Sequence, residues 1–237
     1  MSAERFLGGR VLVRQSQTGF RGGLDAVMLA AAVPAVADDE VLELGAGAGT
    51  ASLCLAARTS CRVTGVEIDP VLTTLANDNA AANGLAARFV AADIGNLPQE
   101  LRRDFAHVFC NPPFHEGEVS PDPAKDRALR DAGRLDDWLA AGLRRTVSDG
   151  AFTVILRADR LSETLTHLPE QGVTIFPLWP RPGHAAKRVI VQARKGSRAR
   201  PVLLAGLVLH QADGSYTPEA DAVLRDGASL ALDSRGL

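Results

Sequence analysis

Glu40-Val-Leu-Glu-Leu-Gly-Ala-Gly-Ala-Gly49 is the stretch that decides the fold. A short apolar run ends in a Gly-rich turn, and a helical pattern follows over residues 50–58, which predicts a strand–turn–helix. Gly45, Gly47 and Gly49, with Ala46 between the first two, let a ligand approach the backbone closely. A dinucleotide site calls for G-x-G-x-x-G, but Thr50 occupies the third glycine position of that pattern. The order here is G-x-G-x-G, preceded by Glu43. An acid two residues before the first glycine suits a cation better than a pyrophosphate. A sulfonium that also carries an ammonium group has that charge.

Working outward, Cys61-Arg-Val-Thr-Gly-Val-Glu67 reads as the next strand, and Glu67 stands 22 residues after Gly45. An acid at the end of the second strand of such a unit can accept both hydroxyls of a ribose. Asp69 is the competing acid; Glu67 is preferred because it ends the apolar run, with Ile68 beside it. A third strand over 87–91 leads to Asp93-Ile94. Asp93 suits an adenine amino group while Ile94 packs on the ring, or Asp93 caps a helix. A fourth strand over 105–110 delivers Asn111-Pro112-Pro113-Phe114. The two prolines fix φ and stiffen the turn. The Asn111 amide oxygen and the Pro112 carbonyl then offer two converging acceptors for an NH2 group on a flat ring, with Phe114 to stack on it. All these polar groups lie at the carboxyl ends of successive strands, where open α/β sheets bind ligands.

Glu43–Gly49, Glu67, Asp93 and Asn111–Phe114 resemble motifs I to IV of class I S-adenosylmethionine-dependent methyltransferases, in the Asn-Pro-Pro-aromatic form of the amino-methylating branch. Gly19-Phe20-Arg21-Gly22-Gly23-Leu24-Asp25-Ala26-Val27-Met28-Leu29 is similar to the motif X segment of the bacterial tRNA(Val) adenine-N6 methyltransferase family. Lys187-Arg188-Val189 and Tyr216-Thr217-Pro218-Glu219-Ala220 resemble that family's C-terminal markers, and the likeness runs over roughly residues 10–225. The resemblance implies a Rossmann-like α/β methyltransferase fold, a seven-stranded and mostly parallel sheet with helices on both faces. It implies S-adenosylmethionine as cofactor, held also by Arg21, Gly23, Asp25 and Asn111, and an RNA adenine as acceptor, most naturally in tRNA. Phe114 departs from the family's usual Tyr, and Lys187 stands where many relatives have His. The same Asn-Pro-Pro-aromatic motif serves protein glutamine and rRNA guanine-N2 methylation, so those acceptors stay open. So does a non-catalytic RNA-binding relative; an NAD-type oxidoreductase is disfavoured by Thr50 and by the Asn111 clamp.

The chain of 237 residues, 46% of them hydrophobic, is expected to form one methyltransferase domain. Residues 1–36 hold an N-terminal strand and the motif X helix, 37–200 the Rossmann-like core, and 201–237 a C-terminal segment. Cys54, Cys61 and Cys110 lack C-x-x-C spacing and read as reduced thiols, with no metal site and a cytoplasmic location. No apolar run reaches membrane length. Net charge is −2, which does not mark a general nucleic-acid binder. Residues 181–200 nevertheless hold Arg181, Lys187, Arg188, Arg194, Lys195, Arg198 and Arg200 with no acid, a basic stripe suited to a phosphate backbone or to guarding a strand edge. A polar, Pro-bearing loop over the site is expected across 116–134. The sequence carries no signal for an oligomeric state.

Overall fold

The chain begins with an antiparallel hairpin, β1 (Ser2–Phe6) and β2 (Val11–Gln15), which forms a two-stranded sheet of its own. The structure, a computed structural model, describes residues 2–16, 21–113 and 134–232. Helix α1 (Leu24–Ala32) is nearly all buried and stops two residues before Pro34, which disfavours a helical residue ahead of it. The motif X helix expected within residues 1–36 therefore ends before Pro34. The core then alternates strand and helix: β3 (Glu40–Leu44), α2 (Thr50–Thr59), β4 (Arg62–Glu67), α3 (Pro70–Asn83), β5 (Ala87–Ala91) and β6 (Phe105–Cys110). Helix α3 starts at Pro70, with the Asp69 carboxylate accepting from Val71 N at 2.7 Å, and ends at Gly84 with φ of 62°. After the segment 114–133 come α4 (Leu135–Arg145), β7 (Thr146–Arg157), α5 (Leu161–Thr166), β8 (Val173–Trp179) and β9 (Arg188–Arg194).

The main sheet runs β5-β4-β3-β6-β7-β9-β8, parallel from β5 to β7 and antiparallel at the two junctions of β9. Two short strands, β10 (Val202–Leu203) and β11 (Leu207–Val208), pair in parallel with β8 and bring the count to nine. The seven-stranded expectation is thus corrected, because the final extended run 202–210 splits into two edge pieces. Gly206 makes the break: its φ is 79°, and a side chain there would meet Pro177 O at 2.1 Å. The short helix α6 (Pro218–Asp221) follows, capped by Thr217.

Side chains alternate across the sheet and build two cores. Val41, Phe109, Ile155 and Ile190 face α1, α2 and α3, whereas Leu42, Leu44, Val108 and Val154 face α4. The strand order reverses between β3 and β6. Ligands of open α/β sheets bind at that switch, outside the carboxyl ends of the strands.

Candidate functional site

The switch brings the glycine turn and the Asn-Pro-Pro turn side by side. Leu44 of β3 pairs with Cys110 of β6, so Gly45 and Asn111 leave the sheet as immediate neighbours. Val66 pairs with Leu44, which sets Glu67 at the same level.

Gly45, Gly47 and Gly49 all have positive φ. Their surroundings separate their roles. A side chain on Gly45 would meet Trp138 at 2.4 Å, and one on Gly49 would meet Phe89 at 2.7 Å. Nothing lies within 4 Å of the position a Gly47 side chain would take. Two glycines thus allow close packing, and Gly47 leaves open space for a ligand.

Glu67 orders this space. One carboxylate oxygen accepts from Gly47 N at 2.8 Å and the other from Asp69 N at 3.0 Å. Each oxygen keeps a lone pair for a hydroxyl. Burial raises the Glu67 pKa, and the two backbone N–H groups oppose that rise. Asp69 caps α3 instead, which separates the two acids that competed in the sequence. Ile68, 44% exposed, presents an apolar surface at the mouth. Asp93 is exposed and accepts from Gly95 N at 2.8 Å; no helix starts there, and Ile94 is half-buried beside it.

Glu43 lies deeper. It is 3% exposed, and its carboxylate accepts from Ser52 N at 3.1 Å and from the Ser52 hydroxyl, serving the head of α2, where Gly49 has no capping side chain. Burial pushes its pKa from 4.5 to about 8. A carboxyl raised on folding stabilises the protonated folded form, and that contribution is lost as pH rises through 8. The Tm of the ligand-free protein should therefore fall between about pH 5 and pH 8.5 more steeply than that of Glu43→Gln. Parallel pH profiles for the two proteins would rule this titration out.

Asn111 is the focus of the site. Its Oδ1 is buried and has no hydrogen-bond partner among the described residues. Most buried polar atoms are satisfied, and an orphan costs about 1–3 kcal/mol. Pro112 is buried and Pro113 half-buried, so the turn is held rigidly. A buried acceptor kept empty fits an incoming N–H donor. Phe114, Phe20 and all but Arg134 of the expected loop over 116–134 lie outside the described residues. Cys110 and Cys54 are buried, and burial pushes the Cys54 thiol up to about 12; neither is a nucleophile.

Several residues hold this site although the sequence did not point to them. Gln15, 1% exposed, clasps Gly22 by a reciprocal pair, Gly22 N to Oε1 at 2.6 Å and Nε2 to Gly22 O at 2.9 Å. Asn79 on α3 takes the place of a neighbouring strand. Its Oδ1 accepts from Arg14 N at 3.0 Å, and its Nδ2 donates to Arg14 O at 2.9 Å and to Ala48 O of the glycine turn at 3.0 Å. Asn83, one turn on, does the same for Leu12. The available signal was three asparagines in one 14-residue helix, where Asn is a poor helix former. Thr50 is 3% exposed and its Oγ1, close to Gly22, is a second orphan among the described residues.

Other expected contacts take different partners. Arg21 pairs with Glu4 and donates to Ser2 Oγ, anchoring the segment that contains Gly23 to β1. Asp25, expected on the donor side, accepts from Arg188, expected on the RNA side, at 2.7 Å. The basic stripe itself is divided. Arg188 pairs with Arg157 and Arg194 with Ala151, so β9 carries the two ends of the stripe to opposite ends of the sheet, about 20 Å apart. Arg181, Lys187 and Arg188 stand at the Asn111 end; Arg194, Lys195, Arg198 and Arg200 do not. Arg194 and Lys195 donate to Asp149 O and Thr146 O at 2.7 and 2.6 Å.

Comparison with known proteins places these features in context. Residues 22–137 match the family model described as "Methyltransferase small domain". The chain is 30% identical over 221 residues to the tRNA1(Val) (adenine(37)-N6)-methyltransferase of Shewanella amazonensis, covering 85% of this chain and 89% of that one. It is 29% identical over 230 residues to the protein of the same name from Dickeya chrysanthemi, covering 90% of each. The crystal structure of a "predicted O-methyltransferase" from Agrobacterium tumefaciens superposes with a TM-score of 0.71 at 29% identity, over 87% of this chain and 98% of that one.

Proposed function

The chain belongs to the tRNA1(Val) (adenine(37)-N6)-methyltransferase family, and from that premise we infer that it methylates N6 of adenine 37 in a valine tRNA. S-adenosylmethionine is the methyl donor. The observation that carries the acceptor class is the buried Oδ1 of Asn111, unpartnered among the described residues.

The whole chain is read as one methyltransferase domain. Gly45, Ala46, Gly47 and Gly49 form the floor of the donor site, Glu67 receives the ribose hydroxyls, and Ile68, Asp93 and Ile94 receive the adenine. Glu43, behind the glycine turn, complements the donor's cationic end when ionised. Gly23 and the anchored Arg21 and Asp25 shape the wall. When bound, the donor supplies a methyl group on a positively charged sulfur. Asn111 Oδ1 and the Pro112 carbonyl accept the two N6 hydrogens, which aims the nitrogen lone pair at that methyl; Pro113 stiffens the turn and Phe114 stacks on the base. N6 is a poor nucleophile because its lone pair is shared with the ring. Alignment in a preorganised polar site is therefore the main source of rate, worth about 7–11 kcal/mol. The proton leaves after transfer, when the nitrogen is acidic, and water takes it.

A hydroxyl acceptor would need a base to remove its proton before attack, whereas a neutral amide oxygen serves an amine. That difference favours N-methylation here over the O-methylation for which the Agrobacterium protein is named. A tRNA substrate and three buried, unpaired thiols support a cytoplasmic location. Among the described residues no helix is long and apolar enough to cross a membrane.

The test is methylation of unmodified valine tRNA transcripts with labelled donor, followed by digestion to nucleosides. N6-methyladenosine is expected from the wild-type transcript and not from one with guanine at 37. Label on another nucleoside, or on protein, would reassign the acceptor.

A further inference from the structure

The end of the sheet that carries Asn111 also carries a cleft outside the donor site. Leu178 of β8 pairs with Arg188, and Arg188 with Arg157, so residues 179–187 stand at the carboxyl ends of the parallel strands. From β6 to β8 the sheet crosses three strand spacings, about 14 Å, within the span of a short RNA loop. The cleft holds about 320 Å³ and is lined by Trp179, Arg181, Pro182, Gly183, His184 and Val208.

Its walls are fixed by hydrogen bonds. Trp179 Nε1 donates to Ala205 O at 2.9 Å, and His210 N donates to Pro180 O at 3.2 Å. The His210 ring stacks on Tyr216 with centroids 4.9 Å apart. Gly183 has φ of 75°, with nothing within 4 Å of where a side chain would point.

The charge around the cleft is positive. Residues 181–200 contain no acid. Asp25 is paired with Arg188 and Asp159 with Arg157, while Asp213, on the facing turn, accepts from Ser215. Arg181, His184 and Lys187 are exposed, and Arg181 and Lys187 have no ion pair among the described residues. An aromatic wall with a cationic rim is the chemistry that holds unpaired RNA, bases stacking on the ring and phosphates on the cations.

We propose that this cleft holds the single-stranded flank of the RNA loop being methylated, with a base against Trp179 and phosphates on Arg181, His184 and Lys187. The proposal rests on the tRNA reading and assigns that substrate a place. It also withdraws Arg194, Lys195, Arg198 and Arg200 from RNA contact at this loop.

The test measures the affinity of the full-length protein for a labelled valine tRNA anticodon hairpin as a function of salt, without donor. Arg181→Ala/His184→Ala/Lys187→Ala should raise Kd about tenfold and reduce the salt slope by about two. Arg198→Ala/Arg200→Ala, at the other end of the sheet, should leave both unchanged. Trp179→Leu tests stacking alone: Kd rises and the slope stays. The donor affinity should be unchanged in the triple variant. An unaltered Kd in the triple variant, or a greater loss in the Arg198/Arg200 control, would overturn the proposal. Binding is read without transfer. A wild-type protein that methylates no tRNA would sink the functional reading, and the Kd comparison would still judge the cleft.

Discussion

Asn111→Ala is expected to lower kcat for methyl transfer by about a thousandfold or more. Affinity for S-adenosylmethionine, measured by calorimetry, should stay within a few-fold. On the proposed reading the variant removes the acceptor that orients N6 and leaves Glu67, Gly47 and Ile68, which that reading assigns to the donor, in place. Its stability separates the catalytic role from a structural one. Oδ1 makes no hydrogen bond among the described residues, so truncating it relieves an unsatisfied buried acceptor instead of breaking a bond. The Tm should therefore be unchanged or higher while activity is lost, as for a site that holds strain for function. Undiminished turnover would refute the amine clamp, and a large drop in Tm would make Asn111 a structural residue.

Asn79→Ala is expected to do the reverse, with its main effect on stability. The side chain is 1% exposed and makes three hydrogen bonds to backbone groups of β2 and the glycine turn. Their loss leaves buried partners unsatisfied, at about 3 kcal/mol in all. Because Ala48 O is one of those partners, the glycine turn loosens and donor affinity should fall about tenfold, by the same 1.4 kcal/mol-per-decade relation that governs any binding change. Asn83→Ala, whose bonds to Leu12 are more exposed, should cost less and leave donor affinity alone. Chemical denaturation and calorimetry of the two variants check this. Equal losses would mean that the link through Ala48 does not matter.

The strand–turn–helix and the acid at the next strand end, which the proposed function assigns to the donor, were legible in the sequence because their information is local. The strand, the glycine turn and the acid at the next strand end each occupy a few contiguous residues, and β4 and β5 follow the same rule. Asn111 was legible for the same reason, since two prolines fix its turn without help from elsewhere. What stayed hidden depends on distant partners. Asp25 and Arg188 are 163 residues apart and meet only because β9 turns back beside β7. The same reversal splits a run of basic residues that looks continuous in the sequence. Gln15, Asn79 and Asn83 are ordinary polar residues until α3 packs beside β2. The break at Gly206 depends on the nearby Pro177 carbonyl, which no local pattern announces.

The N-terminal hairpin is joined to the rest of the protein by side-chain amides of α3, by Gln15 and Arg21, and by the buried Leu7, Val11 and Val13, and among the described residues it shares no ladder with the nine-stranded sheet. Its strands are therefore separable from the sheet, though its apolar side chains belong to the core. The prop it gives Gly22 through Gln15 can be lengthened or exchanged in evolution without breaking a rung of the sheet that places Asn111.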